Sequence, residues 1–406
     1  MIAEVNKSIG SIMDDSIKNM TVDSRRSALA GLLLIGGGIM MASSEGIKGF
    51  FGTLFNYGHL SESYHEMSRT SHDPDIRFGN FSPDGTKVVL NYRPMVDNED
   101  RISYIGILEI ATGKLQLIRP PKEYKMWYDG SFSPDGKEMV FAYSLKEKVQ
   151  EDTGVCILNL VTLTFRTIFR SDARRTYFSF SPDAKRIIYF KSEYFRTKEG
   201  QVKYGDCDIF EMDLATKNEN RLTNIRFFSG GAAPRYFPDG ENYIFAAESP
   251  YIGFDYTEER KQRVKKHQEE YKDNSTYIFN RNILQTEAIP AIIYKDISHF
   301  TDMSQDGKKI LCIARSHLHK TAKYNYDLFL YEDGQIRQLT DLQWMIIAAT
   351  LSPDGRQAVF VADTTSSRGS ERKVCLYKIE TNTTAPIELK PENTIWLNVG
   401  QQGVQQ

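Results

Sequence analysis

The chain has 406 residues, of which 40% are hydrophobic and 26% charged. That composition excludes a disordered or collagen-like chain and allows a large buried core. With 51 basic and 53 acidic residues the formal charge is −2, so no basic surplus points to a nucleic-acid partner. Tyrosine (22) and phenylalanine (23) are abundant, and strands favour both.

The N-terminal part differs from the rest. VDSRRSALAGLLLIGGGIMMASSEG (22–46) sets the pair Arg25–Arg26 before a run of apolar and small residues. The run is short for a membrane span and has the length of a signal-peptide core. Ser24–Leu29 resembles a twin-arginine export signal, which implies cleavage near Ser44. The alternative is an uncleaved anchor with 1–26 left in the cytoplasm by the positive-inside rule. Both put the body in the periplasm or on the outer face of the cytoplasmic membrane; a cytoplasmic protein with an apolar N-terminal helix is the remaining case. The expected domains are a signal or anchor at 1–46, a linker at 47–72 and a repeat domain at 73–400.

That domain is written in one recurring turn. The copies are Phe81-Ser-Pro-Asp-Gly85, Phe132-Ser-Pro-Asp-Gly136, Phe180-Ser-Pro-Asp-Ala184, Tyr236-Phe-Pro-Asp-Gly240, Met303-Ser-Gln-Asp-Gly307 and Leu351-Ser-Pro-Asp-Gly355. Their aspartates are spaced by 51, 48, 56, 67 and 48 residues, and a period near fifty means stacked supersecondary units. Proline presets φ, aspartate bonds nearby backbone, and glycine takes the left-handed position that closes a hairpin. An apolar strand follows each turn, as in KVVLNY (87–92), EMVFAY (138–143) and KILCIA (309–314). Most units add a second strand, such as VCILNLVT (155–162), and a short last one, such as LQLIRP (115–120). Six units of four strands, apolar on both faces, predict an all-β, six-bladed β-propeller of four-stranded blades. The cysteines Cys156, Cys207, Cys312 and Cys375 fall in apolar strand-like runs without a Cys-x-x-Cys and read as buried thiols.

The Ser-Pro-Asp-Gly turns at this period, with LTN (222–224) and LTD (339–341) before the next turns, resemble the TolB-type propeller repeat, also called the WD40-like PD40 repeat. The resemblance covers roughly 73–390 and implies the fold; unrelated activities share it. TolB proteins carry an α/β domain ahead of the propeller. Here the stretch between Ser44 and the first blade is too short for one, so a TolB-like chain without that domain is expected. There is no Gly-x-Ser-x-Gly for the hydrolase chemistry of prolyl oligopeptidase relatives.

With strands named a to d from the centre outwards, the a–b and c–d turns share one face. All the long insertions fall between b and c: 92–101, 145–154, 191–206, 248–275, 315–327 and 363–373. Variable loops on a rigid scaffold are where binding tends to sit. The d–a loops on that face carry aromatics and cations: Arg77, Trp127, Tyr128, Arg174, Arg175, Tyr177, Phe227, Phe228, Phe300 and Trp344. As a ring around the channel they suit a peptide segment or a glycan; each taken singly reads equally as blade packing. In the fourth-unit insertion, 255–274 is dense in charge and predicts a solvated helix, serving as a lid, a docking arm or a bridge.

Chemistry has a weaker signature. His317 and His319 alternate in one loop and His299 begins the inner strand of the same unit, three imidazoles that could ligate a divalent metal. Oligogalacturonate lyases, propellers on similar repeats, use a histidine cluster around manganese; Ala314 stands where that family has a glutamine ligand. The expected function is thus a non-catalytic binding or scaffold propeller of the bacterial envelope. Its partner is an envelope protein or glycan, with no cofactor, an N-terminal association with the membrane and a monomeric state. The alternative is an oligosaccharide-acting enzyme with a histidine-bound metal.

Overall fold

Local bonding explains why the recurring turn is spelled as it is. In five copies the serine hydroxyl donates to the aspartate Oδ1, at 2.6 Å for Ser82–Asp84 and 2.7 Å for Ser133–Asp135. The serine Oγ in turn accepts the N–H of the residue five positions after it, as from Lys87 and Glu138, each at 2.9 Å. In the fourth copy Phe237 replaces the serine, and Asp239 takes the N–H groups of Glu241 and Asn242 at 2.8 Å instead. The closing glycines have φ between 65° and 73°, while Ala184 is held at 58°. Turns also pack on one another: a side chain at Gly136 would come 3.2 Å from Pro83 of the preceding repeat.

The computed structural model describes residues 74–94, 103–119, 124–145, 153–171, 173–196, 202–223, 230–248, 274–280, 285–288, 297–315, 326–364, 372–392 and 394–396. The chain divides into a unit at 1–56 and a unit at 57–406. The expected signal or anchor (1–46, with Arg25 and Arg26) and the linker (47–72) lie outside the described residues, as does the predicted helix at 255–274 apart from its last residue. Among the described residues no helix is long and apolar enough to cross a membrane.

Blade 1 is β1 (Asp75–Phe81), β2 (Lys87–Arg93), β3 (Tyr104–Glu109) and β4 (Lys114–Arg119). Blade 2 is β5 (Tyr124–Phe132), β6 (Glu138–Leu145), β7 (Thr153–Asn159) and β8 (Phe165–Ser171). Blade 3 is β9 (Ala173–Phe180), β10 (Arg186–Arg196), β11 (Val202–Asp213) and β12 (Glu219–Arg221). Blade 4 is β13 (Gly230–Tyr236), β14 (Tyr243–Glu248), β15 (Asn274–Asn280) and β16 (Gln285–Ala288). Blade 5 is β17 (Ile297–Met303), β18 (Lys309–Arg315), β19 (Tyr326–Glu332) and β20 (Gln335–Gln338). Blade 6 is β21 (Met345–Leu351), β22 (Gln357–Asp363), β23 (Arg372–Lys378) and β24 (Thr383–Pro386). Each blade is an antiparallel meander in chain order, and one parallel bridge, Tyr326 to Met345, joins blades 5 and 6.

The first strands of successive blades pack in a cycle, β1 on β5, β9, β13, β17, β21 and back to β1. Apolar faces on both sides of the sheets meet at the seams, each with its own core. Val89, Ile105 and Phe141 lie between blades 1 and 2. Phe178, Ile187 and Val140 lie between blades 2 and 3, and Phe190, Tyr236 and Phe245 between blades 3 and 4. Ile76, Val88, Val359 and Val361 close the ring between blades 6 and 1. Cys156, Cys207, Cys312 and Cys375 are buried thiols, none in a disulfide, and burial pushes the Cys156 and Cys312 thiols up to about 12.

Two features depart from the sequence expectation. The insertion at 191–206 is not an irregular loop: past a bulge after Ser192, β10 and β11 continue as a hairpin that pairs Tyr194 with Tyr204 and Arg196 with Val202. After β24 the chain crosses to blade 1, where β25 (Lys390–Pro391) and β26 (Ile395–Trp396) pair in parallel with β4.

Two predictions follow from the turns. Ala184→Gly removes a left-handed alanine and should stabilise by about 0.5–1 kcal/mol in urea unfolding. Serine hydroxyls, then backbone N–H groups, hold the carboxyls of Asp84, Asp135, Asp183 and Asp306 below their ordinary value. Depressed carboxyls stabilise the fold above their unfolded pKa and lose that contribution as pH falls through the folded value. Ser133→Ala should therefore shift the acid-unfolding midpoint to higher pH, measured by circular dichroism.

Candidate functional site

One position of the repeat, the residue just before its first letter, meets around the axis of the ring. It is Asn80, Ser131, Ser179, Arg235, Asp302 and Thr350 in the six blades, all polar, and all buried except the half-buried Asn80. Arg235 on β13 donates from Nε to Asp302 Oδ1 on β17 (2.9 Å) and from Nη1 to Ser179 Oγ on β9 (3.3 Å). Its Nη2 reaches the Gly79 carbonyl on β1 at 3.2 Å. Blades 4 and 1 are opposite in the cycle, so the guanidinium spans the axis. Asp302 Oδ2 accepts the Thr350 hydroxyl of β21 (2.5 Å) and the Leu351 N–H (3.1 Å). Asn80 joins β5, taking the Phe132 N–H at 2.7 Å. The strands come close enough here that a Cβ on Gly79 would lie 1.9 Å from the Gly130 carbonyl oxygen. This polar layer bridges the inner strands across the axis, on the side of the recurring turns.

The opposite end, where the b–c connections lie, has a charged rim. Asp75 at the start of β1 pairs with Arg93 at 2.8 Å and lies 3.7 Å from Arg372; Arg372 also donates to the Pro74 carbonyl. The expected contacts Arg77 and Arg174 are exposed on the opening halves of β1 and β9.

The other expected residues divide. Arg175 is buried and committed: its Nε and Nη2 bond Glu219 at 3.0 and 2.9 Å, and it stacks over Tyr189. Tyr189 and Lys191 also donate to Glu219, and these charged bonds outweigh burial to hold the Glu219 carboxyl below its ordinary value. Arg175 therefore stabilises the interior of blade 3. Tyr177, with φ of 62°, packs edge-on to Phe190 in the seam of blades 3 and 4. Trp344 is half-buried against the core of blades 5 and 6. Trp127 and Tyr128 lie on β5, and Phe300 and His299 on β17, within the inner strands and not in the d–a loops where the sequence put the aromatics; their side chains, and all of Phe227, Phe228, His317 and His319, are outside the described residues. Among the described residues no group of three or more His, Cys, Asp or Glu is placed to hold a metal ion.

Removing one partner of a buried ion pair strands the other charge. Asp302→Ala should therefore cost about 3–5 kcal/mol. Combining it with Arg235→Met should recover part of that loss in a double-mutant cycle measured by urea unfolding.

No protein-family model and no curated protein matches the sequence. Solved structures do. The TolB of Acinetobacter baumannii is 18% identical over 77% of this chain, with a TM-score of 0.49, and the chain spans 63% of that protein's length. An oligogalacturonate lyase from Vibrio parahaemolyticus is 12% identical over 77% of this chain and 78% of its own, with a TM-score of 0.47. The β-propeller domain of the Trilobed protease from Pyrococcus furiosus is 15% identical over 80% of this chain and 84% of its own, with a TM-score of 0.46. At these identities the likeness is one of fold alone. The cycle of four-stranded antiparallel meanders makes this a β-propeller fold.

Proposed function

We propose that the chain is a non-catalytic binding or scaffold propeller of the bacterial envelope, recognising a protein segment or a glycan at the end of the channel where the b–c connections lie. One observation carries the reading. The Arg235–Asp302 layer bridges the inner strands at the turn-side end of the axis, and the turn aspartates are employed in turn bonds. The end where the b–c connections lie joins rigid inner strands to segments of variable sequence and exposes Arg77 and Arg174, the setting in which recognition residues are usually found. Trp127, Tyr128, Phe227, Phe228 and Phe300 would add aromatic surface there, and stacking of such rings suits sugars and peptide side chains alike. Arg175 is left out of this surface because Glu219 holds it. The Arg25–Arg26 segment supports delivery to the periplasm or to the outer face of the cytoplasmic membrane.

The test is to screen the purified protein against peptide and glycan arrays and against detergent-solubilised envelope fractions. A ligand is expected whose binding falls about tenfold in Trp127→Ala or Arg77→Ala, as for loss of one good contact. No ligand in any of the three screens would sink the reading. A stoichiometric transition metal in the purified protein, lost in a His317→Ala/His319→Ala variant, would replace it with the enzyme.

A further inference from the structure

We infer that the polar layer at the axis holds one ordered water, bridging Ser131 and Arg235. Ser131 is the blade 2 member of the layer and is 1% exposed. Its five counterparts all bond across to a neighbouring inner strand. The Ser131 hydroxyl alone has no protein hydrogen-bond partner among the described residues. Buried hydroxyls rarely go unmet, because the lost solvation is not recovered.

The second party is close by. A guanidinium carries five N–H donors, and the three bonds from Arg235 go to Asp302, Ser179 and Gly79. Gly79 is the residue whose backbone abuts Gly130, the immediate neighbour of Ser131. The Arg235 Nη2 end and the Ser131 hydroxyl thus flank the same backbone crossing. Arg235 is already neutralised by Asp302 at 2.9 Å, so the site favours a neutral ligand over an anion. A small neutral molecule that accepts from a guanidinium N–H and also bonds a hydroxyl is water.

Crystallography of the full chain at a resolution that shows ordered solvent tests this. Density is expected within about 2.7–3.2 Å of both Ser131 Oγ and an Arg235 Nη. No density there, or density reaching Ser131 without Arg235, overturns the inference. Thermal unfolding of Ser131→Ala gives a second reading, of opposite sign for the two cases. If the hydroxyl is bonded through water, its removal lowers the midpoint. If the hydroxyl is unmet, removal relieves a penalty, so an unchanged or raised midpoint overturns the inference.

Discussion

The constraint on which the ring depends is that six inner strands must meet at one axis without leaving their polar backbone edges unmet. An apolar plug could fill that space but could not bond those edges. The Arg235 guanidinium reaches the Asp302 and Ser179 side chains on the strands to either side and the Gly79 carbonyl on the opposite strand at once. Asp302 balances the charge and extends the network to blade 6 through Thr350. The seams supply the bulk of the burial, and the axial pair fixes how the blades face each other. A buried ion pair is often no more stabilising than an apolar substitute; its contribution here is the geometry it imposes.

That arrangement divides labour between the two ends. At one end the recurring turns pack glycine on proline from blade to blade, and their aspartates are bound internally. At the other, Asp75, Arg93 and Arg372 form a charged rim between blades 1 and 6, and the β10–β11 hairpin extends beyond the sheet of blade 3. Sequence variation is cheap at the second end and costly at the first, which is the usual division between scaffold and recognition surface.

Much of this was legible in the residues. The turn gave the period, and the strands after it begin within a residue of their expected positions, because proline and glycine fix local geometry without tertiary help. In blade 4 the sequence marked β15 only through the end of the 248–275 insertion and named no segment for β16: a long charged insertion separates β15 from its partner β14. The polar layer was readable only as a column, with Asn, Ser, Ser, Arg, Asp and Thr at one repeat position. No single letter announces it, since Arg235 and Asp302 meet only once the ring has closed. Arg175 was misleading for the converse reason. It sits among aromatics in sequence, yet Glu219, forty-four residues away, holds it inside the blade.

The pairing of β25 and β26 with β4 has a consequence in time. Those strands follow β4 in the chain by about 280 residues. At roughly 5–20 residues per second of synthesis, the outer edge of blade 1 waits on the order of 15–60 s for its partner. During that interval β4 presents an unpaired strand edge, the kind of surface that chaperones cover and that neighbouring chains can capture.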